Sequence, residues 1–259
     1  MNIITAYATN NDCYKAKKPM TPTGIVLHST GANNPNLKRY VDCPSECGKN
    51  WYNNHWNNPA NKIGDVCVHS FIGYDKNGEV RVANILPYNY ASWGCGSGKY
   101  GSYNYNPTGH IQIELCEDNL YNVNYFNSVY LVAAEYCAML CKQFNLKSSS
   151  IVSHAEAHNR GYASNHADCD HWFIKHGKTM NNFRSLVKSM LEQGTQYLVK
   201  VTADVLNVRI GPGINNTIVT TVHQNEVYTI VEEKIVNNDM WGKLKSGAGW
   251  ICLTYTQKI

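Results

Sequence analysis

Residues 153 to 173 read Ser-His-Ala-Glu-Ala-His-Asn-Arg-Gly-Tyr-Ala-Ser-Asn-His-Ala-Asp-Cys-Asp-His-Trp-Phe. This one segment holds four of the ten histidines of the chain, together with three carboxylates. Imidazole and carboxylate groups are the ligands that a hydrolytic zinc ion takes, and a catalytic site uses three of them and leaves a fourth position for water. The segment therefore predicts most of a zinc site whose remaining ligand is distant in sequence.

The spacing of the histidines excludes a single zinc-binding helix of the His-Glu-x-x-His kind. His154 and His158 flank three residues in a different pattern, and Gly161 interrupts the turn that follows. Elsewhere, an apolar run over residues 24–27 ends abruptly at His28, which predicts a buried strand with this histidine at its mouth. A lone histidine at a strand end is more often a structural residue. Here, however, we expect His28 to be the distant zinc ligand.

Four short motifs in one order resemble the type 2 N-acetylmuramoyl-L-alanine amidases, a family that shares its fold with the peptidoglycan recognition proteins. The motifs are residues 25–30, 110–115, 153–156 and 165–168. The resemblance extends over roughly residues 20 to 190 and is closest to amidase domains of bacteriophage endolysins and autolysins. It implies an α/β amidase domain with a central mixed β-sheet flanked by helices.

The resemblance also implies the metal and its ligands. Zn²⁺ is expected to be held by His28, His154 and Asp168. Cys169 is the alternative to Asp168, but the family places the ligand two residues after the position of His166, which favours Asp168.

Four further residues are implied as parts of the site. Glu114 alternates with Ile111, Ile113 and Leu115, so it points away from their face, and it is expected to act as the general base. His166 is expected to hydrogen-bond the developing oxyanion. His69 and Trp93 are expected to contact the substrate.

The implied reaction is hydrolysis of the amide between N-acetylmuramic acid and the L-alanine of the stem peptide, so bacterial peptidoglycan is the expected partner. One alternative is a silent recognition protein that binds peptidoglycan without cutting it. The presence of all three ligands argues against it, because silent members commonly lack one. The other alternative is a host autolysin with the same chemistry.

Composition limits which partners the protein can be expected to bind and where it can be expected to act. A net charge of +4 suits an anionic wall but is too small for a nucleic-acid footprint. No segment approaches the roughly 18 apolar residues that a membrane span needs, and residues 1–7 lack a signal-peptide pattern. We therefore expect a protein made in the host cytoplasm that acts at the wall, which favours a phage endolysin; the oligomeric state is not indicated.

The cysteines are expected to be free thiols. Ten cysteines in a chain of the reducing cytosol do not form a disulfide framework, and most should be small buried residues. Cys43 and Cys47 resemble half of a structural zinc site, but no second half follows, so we favour packing for them as well.

Periodicity and turn signals predict the remaining elements. A hairpin is expected around residues 75–78, and long and short amphipathic helices are expected over residues 126–144 and 180–191. With 259 residues, the chain has room for a medium domain and a small one.

Helical periodicity stops near residue 193, which predicts a domain boundary. We predict a zinc amidase domain over residues 1–192, a linker over 193–196 and an all-β domain over 197–259. Motifs at residues 206–213, 241–244 and 249–251 resemble a bacterial SH3-like barrel, which in cell-wall enzymes is usually a wall-binding module.

Overall fold

The computed structural model describes residues 1–61, 66–192 and 196–259. Its contacts divide the chain into two compact units, Met1–Lys188 and Ser189–Ile259. This division falls a few residues before the predicted boundary, inside the last helix of the first predicted domain. Of the predicted linker, residues 193–195 lie outside the described residues.

The first unit contains a six-stranded mixed sheet. Its strands are β1 (Ile3–Thr5), β2 (Gly24–Ser29), β3 (Ser70–Tyr74), β4 (Val80–Asn84), β5 (His110–Leu115) and β6 (Ile151–Ser153). Their order across the sheet is β1-β4-β3-β5-β2-β6. The central strands β3, β5, β2 and β6 run parallel to one another, whereas β3 and β4 pair antiparallel. The predicted α/β domain with a mixed sheet is confirmed.

The helices flank this sheet. They are α1 (Asp12–Ala16), α2 (Pro44–Cys47), α3 (Val123–Phe144), α4 (His154–Asn159), α5 (Asp170–Lys175) and α6 (Met180–Glu192). Short 3₁₀ turns lie at Leu37–Arg39, Pro59–Asn61, Ser148–Ser150 and, in the second unit, Leu253–Tyr255. Among the described residues, none of the helices has the length and apolar character that crossing a membrane requires.

Local chemistry explains where the main elements begin and end. The β3–β4 hairpin closes as predicted, because the Asp75 carboxylate accepts hydrogen bonds from the backbone N–H groups of Asn77 and Glu79 and Gly78 adopts a φ of 81°. Helix α3 begins three residues before the predicted Phe126, because the Asn122 side chain accepts a hydrogen bond from the N–H of Tyr125 and caps the first turn.

The second unit is an all-antiparallel sheet. Its strands are β7 (Tyr197–Val201), β8 (Val205–Arg209), β9 (Ile218–His223), β10 (Val227–Val236), β11 (Asp239–Leu244), β12 (Trp250–Cys252) and β13 (Thr256–Lys258), in the order β13-β7-β10-β11-β12-β8-β9. Its core is formed by Val199, Val201, Leu206, Val208, Val222, Ile230, Leu244 and Ile251. This architecture agrees with the predicted all-β domain.

The cysteines are free thiols in the described ranges, and eight of the ten are buried. Cys47 and Cys67 pack in the apolar cluster around Phe71, and the half-buried Cys43 lies against that cluster. These residues therefore contribute to packing.

Candidate metal centre

Parallel strands bring the three predicted ligands to one edge of the first sheet. β2 carries His28 near its carboxyl end, and β6 leads directly into His154, the first residue of α4. Asp168 lies two residues before α5. The ligand atoms of His28, His154 and Asp168 all lie within 4.8 Å of one another. Within the described ranges, no other group of three or more His, Cys, Asp or Glu side chains has this arrangement.

A capping box fixes the direction of His154. The N–H of Glu156 donates to Ser153 Oγ over 3.1 Å, and the N–H of Ser153 donates to Glu156 Oε2 over 3.2 Å. Arg184 then holds Glu156 with two hydrogen bonds of 2.7 and 2.9 Å. Because the first turn of α4 is fixed at both ends, the His154 ring enters the cluster in a defined orientation.

The ligand atoms are spaced as a small tetrahedral ion requires. His28 Nδ1 lies 3.0 Å from His154 Nδ1 and 3.2 Å from Asp168 Oδ2. His154 Nδ1 lies 3.4 Å from Asp168 Oδ1. Ligand bonds of 2.0 to 2.2 Å in a tetrahedron place neighbouring ligand atoms about 3.3 to 3.6 Å apart. The donor set therefore fits a zinc-like ion after small adjustments.

Gln112 prepares His28 for this role. The Gln112 side-chain nitrogen donates to the carbonyl oxygen of Tyr103 over 3.2 Å, which turns its side-chain oxygen toward His28. His28 Nε2 lies 2.6 Å from that oxygen and must carry the hydrogen, since an amide oxygen only accepts. In the neutral ring, the Nδ1 lone pair therefore points at the cluster, as in metal-binding histidines held by an outer partner.

The charges of the cluster are coupled. Burial opposes the ionised form of Asp168, but hydrogen bonds from His154 and His28 outweigh burial and hold the pKa of Asp168 well below its usual range. Burial lowers the pKa of His154. For His28, burial also lowers the pKa, but the hydrogen bond to Asp168 and the charges of Glu114 and Asp168 raise it overall. The cluster thus holds an anionic carboxylate between two imidazoles, an arrangement that favours a cation.

Glu114 lies directly beside this cluster. It pairs with His28 in the parallel register of β2 and β5, so both side chains leave the same face of the sheet. Its Oε2 is buried and has no hydrogen-bond partner within the described residues. Burial is the main reason why the pKa of Glu114 is raised to about 8. The charge of His28 lowers this pKa, whereas the charges of Asp168 and Glu117 raise it further. A carboxylate in this state is suited to take up a proton.

Aromatic packing accounts for the burial of Glu114. Its other strand neighbour, in β3, is Phe71. Tyr40 stacks on Phe71 with ring centroids 4.9 Å apart, and Trp56 meets the same ring edge-on at 4.9 Å. The segment between β2 and β3 therefore excludes water from the side of Glu114 that faces away from His28.

His166 and Cys169 differ in their access to the cluster. The exposed His166 ring stacks on His154 with centroids 4.7 Å apart. It therefore lies where a bound substrate could reach it. Cys169 is fully buried, burial raises the pKa of its thiol well above the usual value, and it is not part of the ligand group. The geometry thus brings Asp168, rather than Cys169, to the two histidines.

His69 is placed differently from the substrate contact that we expected. Its side chain is fully buried; its Nε2–H donates to the carbonyl oxygen of Tyr90 over 2.9 Å, and its Nδ1 accepts from the N–H of Gln112 over 2.9 Å. Burial lowers its pKa to about 4, so the ring is neutral. Both ring nitrogens are engaged with backbone groups, which gives His69 a structural position behind Gln112.

Trp93 lies at the surface of the first unit. Its ring is nearly parallel to Tyr105, with an interplanar angle of 8° and centroids 6.3 Å apart. Both rings line a cavity of about 350 Å³, together with Lys18. Trp93 does not belong to the ligand group, and its contact with substrate stays a prediction.

Two polar features near the candidate site were not predicted from the sequence. Gln112 lies two residues before Glu114 on the same face of β5, and a second polar residue on that face was the available signal. The second is the pair formed by His171 and Glu117, whose Nε2 and Oε1 atoms are 2.9 Å apart. Glu117 is 3% exposed and follows β5 beyond Glu114, so this pair extends the polar edge of the sheet.

Comparison with known families identifies the fold that carries this site. A family model described as N-acetylmuramoyl-L-alanine amidase matches residues 18–171, which is more than half of the chain. The matched residues include all three members of the ligand group, together with Glu114. None of the curated proteins matches the chain.

Solved structures agree with this fold. The hydrolase AmiA of Staphylococcus aureus in complex with its ligand is 19% identical, with a TM-score of 0.53 over 74% of this chain and 83% of that chain. The PlyG catalytic domain is 20% identical, with a TM-score of 0.51 over 75% of this chain and 98% of that chain. The structure of PlyL is 19% identical, with a TM-score of 0.51 over 73% of this chain and 98% of that chain. At these identities the likeness shows the fold.

Replacing His28, His154 or Asp168 with alanine is expected to abolish stoichiometric binding of added Zn²⁺, because each supplies a ligand atom. Gln112→Leu is expected to weaken binding by about 10- to 100-fold, since it removes the outer partner of a ligating histidine. Competition with a chromophoric chelator measures both effects. His158→Ala is the matched control, because this histidine bonds to the Ala163 carbonyl and lies outside the ligand group. Unchanged affinity in the three alanine variants would contradict the assignment.

Glu114→Gln is expected to stabilise the metal-free protein increasingly as pH rises from 4.5 to about 8, the ordinary and folded-state pKa values of Glu114. Over that interval the unfolded chain ionises Glu114 while the folded protein keeps its proton, so the wild type loses stability and the variant does not. Urea unfolding in the presence of a chelator at pH 4.5, 6 and 8 measures the difference. A difference that stays constant with pH would show that Glu114 ionises normally.

Proposed function

The chain belongs to the N-acetylmuramoyl-L-alanine amidase family, and on that premise we propose that it is a zinc-dependent amidase of bacterial peptidoglycan. The bond cleaved is the amide between the lactyl group of N-acetylmuramic acid and the L-alanine of the stem peptide. The observation that carries this proposal is the buried group of His28, His154 and Asp168 with Glu114 beside it. Two imidazoles and a carboxylate are a ligand set of hydrolytic zinc sites.

When bound by His28, His154 and Asp168, Zn²⁺ supplies Lewis acidity, which polarises a carbonyl group and makes water more acidic. Glu114 then serves as the general base: it accepts a proton from the attacking water and passes it to the leaving amine. Its burial suits both steps, since a carboxylate with a raised pKa holds a proton well enough to donate it later. A positive charge at the ligand group lowers the pKa of Glu114, as the charge of His28 does.

His166 is proposed to assist at the carbonyl oxygen. Its ring lies against His154 and is exposed, so an N–H of His166 is available to donate a hydrogen bond to the oxygen that becomes negative in the transition state. Gln112 and Glu156 act on the ligands rather than on the substrate, because they orient His28 and the first turn of α4.

The second unit is proposed to be a bacterial SH3-like module that binds the cell wall. Its small antiparallel sheet and the motifs at residues 206–213 and 249–251 support this assignment. The endolysin role expected from the sequence stays a prediction. Lysis that begins only when the membrane of an expressing cell is disrupted would support that role.

The test of the reaction is digestion of purified peptidoglycan with and without a chelator. The expected result is release of free L-alanine amino termini that stops with chelator and returns with added Zn²⁺, without release of reducing sugar ends. Reducing ends would identify a glycosidase. Sedimentation of the protein with intact wall, without released amines, would identify a binding protein that does not cut.

Glu114→Gln is expected to retain bound Zn²⁺ and to lower turnover by about 10² or more, because the amide cannot accept the proton of water. The acid limb of the wild-type kcat/KM profile, which reports protonation of the base, is expected to be absent from the residual activity. Amine release at pH 5 to 9 measures both, and metal content serves as the control for folding. Near-normal turnover in this variant would assign the base to another residue.

A further inference from the structure

The sheet of the second unit has two chemically different faces. On β8, Leu206 and Val208 point into the core, whereas Asn207 and Arg209 alternate with them and point to the opposite face. Trp241 in β11 lies on that outer face too, because it pairs with Cys252 in β12 while the intervening residues face the core. The polar side chains of β8 thus share the outer face with Trp241, which packs with Trp250 and Cys252 of β12 in a second, smaller apolar cluster.

These side chains line a cavity of about 330 Å³. Its polar lining comes from Asn207, Arg209, Asp239 and Tyr255, and Trp241 lies among them. Apolar rims are formed by the exposed Val205 and Ile214. The lining therefore combines hydrogen-bonding groups with apolar contact surface, as small-ligand sites do.

The indole of Trp241 is buried although it lies on the outer face of the sheet. The residue is 3% exposed, and its Nε1–H has no hydrogen-bond acceptor among the described residues. Buried indole N–H groups usually have a partner. The Nε1 atom is itself buried, so a ligand carbonyl seated in the cavity would supply the missing acceptor once the ring turns toward it.

The charges in the cavity are of opposite sign, and neither is paired with an oppositely charged side chain in the described part of the chain. Neither Arg209 nor Asp239 forms an ion pair with a described residue. Arg209 uses one nitrogen to donate to the carbonyl oxygen of Asn216 over 2.7 Å, which holds its guanidinium in place. A guanidinium has five N–H donors, so most of them stay available to a ligand.

We propose that this cavity binds a short peptide that carries both a free carboxylate and a free amine, the chemistry of an uncross-linked peptidoglycan stem. The carboxylate pairs with Arg209, the amine pairs with Asp239, and a peptide carbonyl accepts from Trp241 Nε1. This inference rests on the wall-binding role proposed above and names the ligand and its residues. A neutral sugar fits less well, because it offers no partner to either charge and Trp241 presents little exposed ring face for stacking.

The test uses the full chain carrying Glu114→Gln, so that hydrolysis does not interfere. The probe is the synthetic tetrapeptide N-acetyl-L-Ala-D-isoGln-L-Lys-D-Ala, whose α-amine is blocked as it is in the wall, compared with its C-terminal amide and with its Nε-acetyl-lysine form by calorimetric titration. Arg209→Met is expected to weaken binding of the free acid by about tenfold or more and to remove the preference for acid over amide. Asp239→Asn, an isosteric change at an exposed residue, is expected to remove the preference for the free amine.

Two further variants complete the design. Trp241→Phe keeps an aromatic side chain but removes the N–H together with the five-membered ring of the indole, and it is expected to weaken all three peptides to a similar degree. Lys245→Met removes a positive charge from an exposed residue outside the cavity and is expected to change nothing. Thermal unfolding verifies that each variant is folded.

The proposal is overturned if the tetrapeptide does not bind, or if acid and amide bind the Arg209 variant and the parent chain with the same ratio. It is also overturned if tetra-N-acetylglucosamine binds instead and is lost in the Arg209 and Asp239 variants. Wild-type hydrolysis of a soluble muramoyl peptide is measured in parallel. Hydrolysis without tetrapeptide binding refutes this inference alone, whereas tetrapeptide binding without hydrolysis supports it and refutes the amidase assignment.

Discussion

The parallel pairing of β2 with its two neighbours is the constraint on which the first unit depends. In this register His28 stands beside Glu114, and Leu27 stands beside Ser153, the residue before His154. Side chains alternate between the faces of a strand, so a slip of one residue would turn His28 into the opposite layer. The buried, β-branched character of these strands, which fixes the register, therefore also places the ligands and the base.

The same arrangement concentrates ionisable groups where water is scarce, and this has an energetic cost. Asp168 is held as an anion by two imidazoles, and Glu114 resists ionisation because of aromatic packing on one side. Buried charges without partners are strongly unfavourable. A cation at the ligand group neutralises Asp168 and lowers the pKa of Glu114 at once. The cluster is therefore less a stabilising feature of the fold than a preformed site whose charges are completed by a ligand.

Local sequence patterns were sufficient to predict some parts of the fold and of the candidate site, but not others. The apolar run before His28, the alternation around Glu114 and the turn residues near Gly78 each encode their own geometry. Gln112, Arg184 and the pair of His171 with Glu117 act across more than 25 residues, and no local pattern encodes such pairings. For His69 the family resemblance suggested a contact with the substrate. Only the fold reveals that both of its ring nitrogens are hydrogen-bonded to backbone groups.

On the function proposed above, the two units would divide the work on an insoluble substrate. The proposed metal centre would need a buried, preorganised set of groups, because the general base proposed there relies on a raised pKa. The wall binding proposed for the second unit has no such requirement, and the outer face of a small sheet would be enough for the weak peptide site proposed there. A polymer presents many copies of one stem, so modest affinity at each copy still keeps the chain on the wall through repeated rebinding. Fast release from each copy is then an advantage, since the catalytic unit must reach a new bond after every turnover.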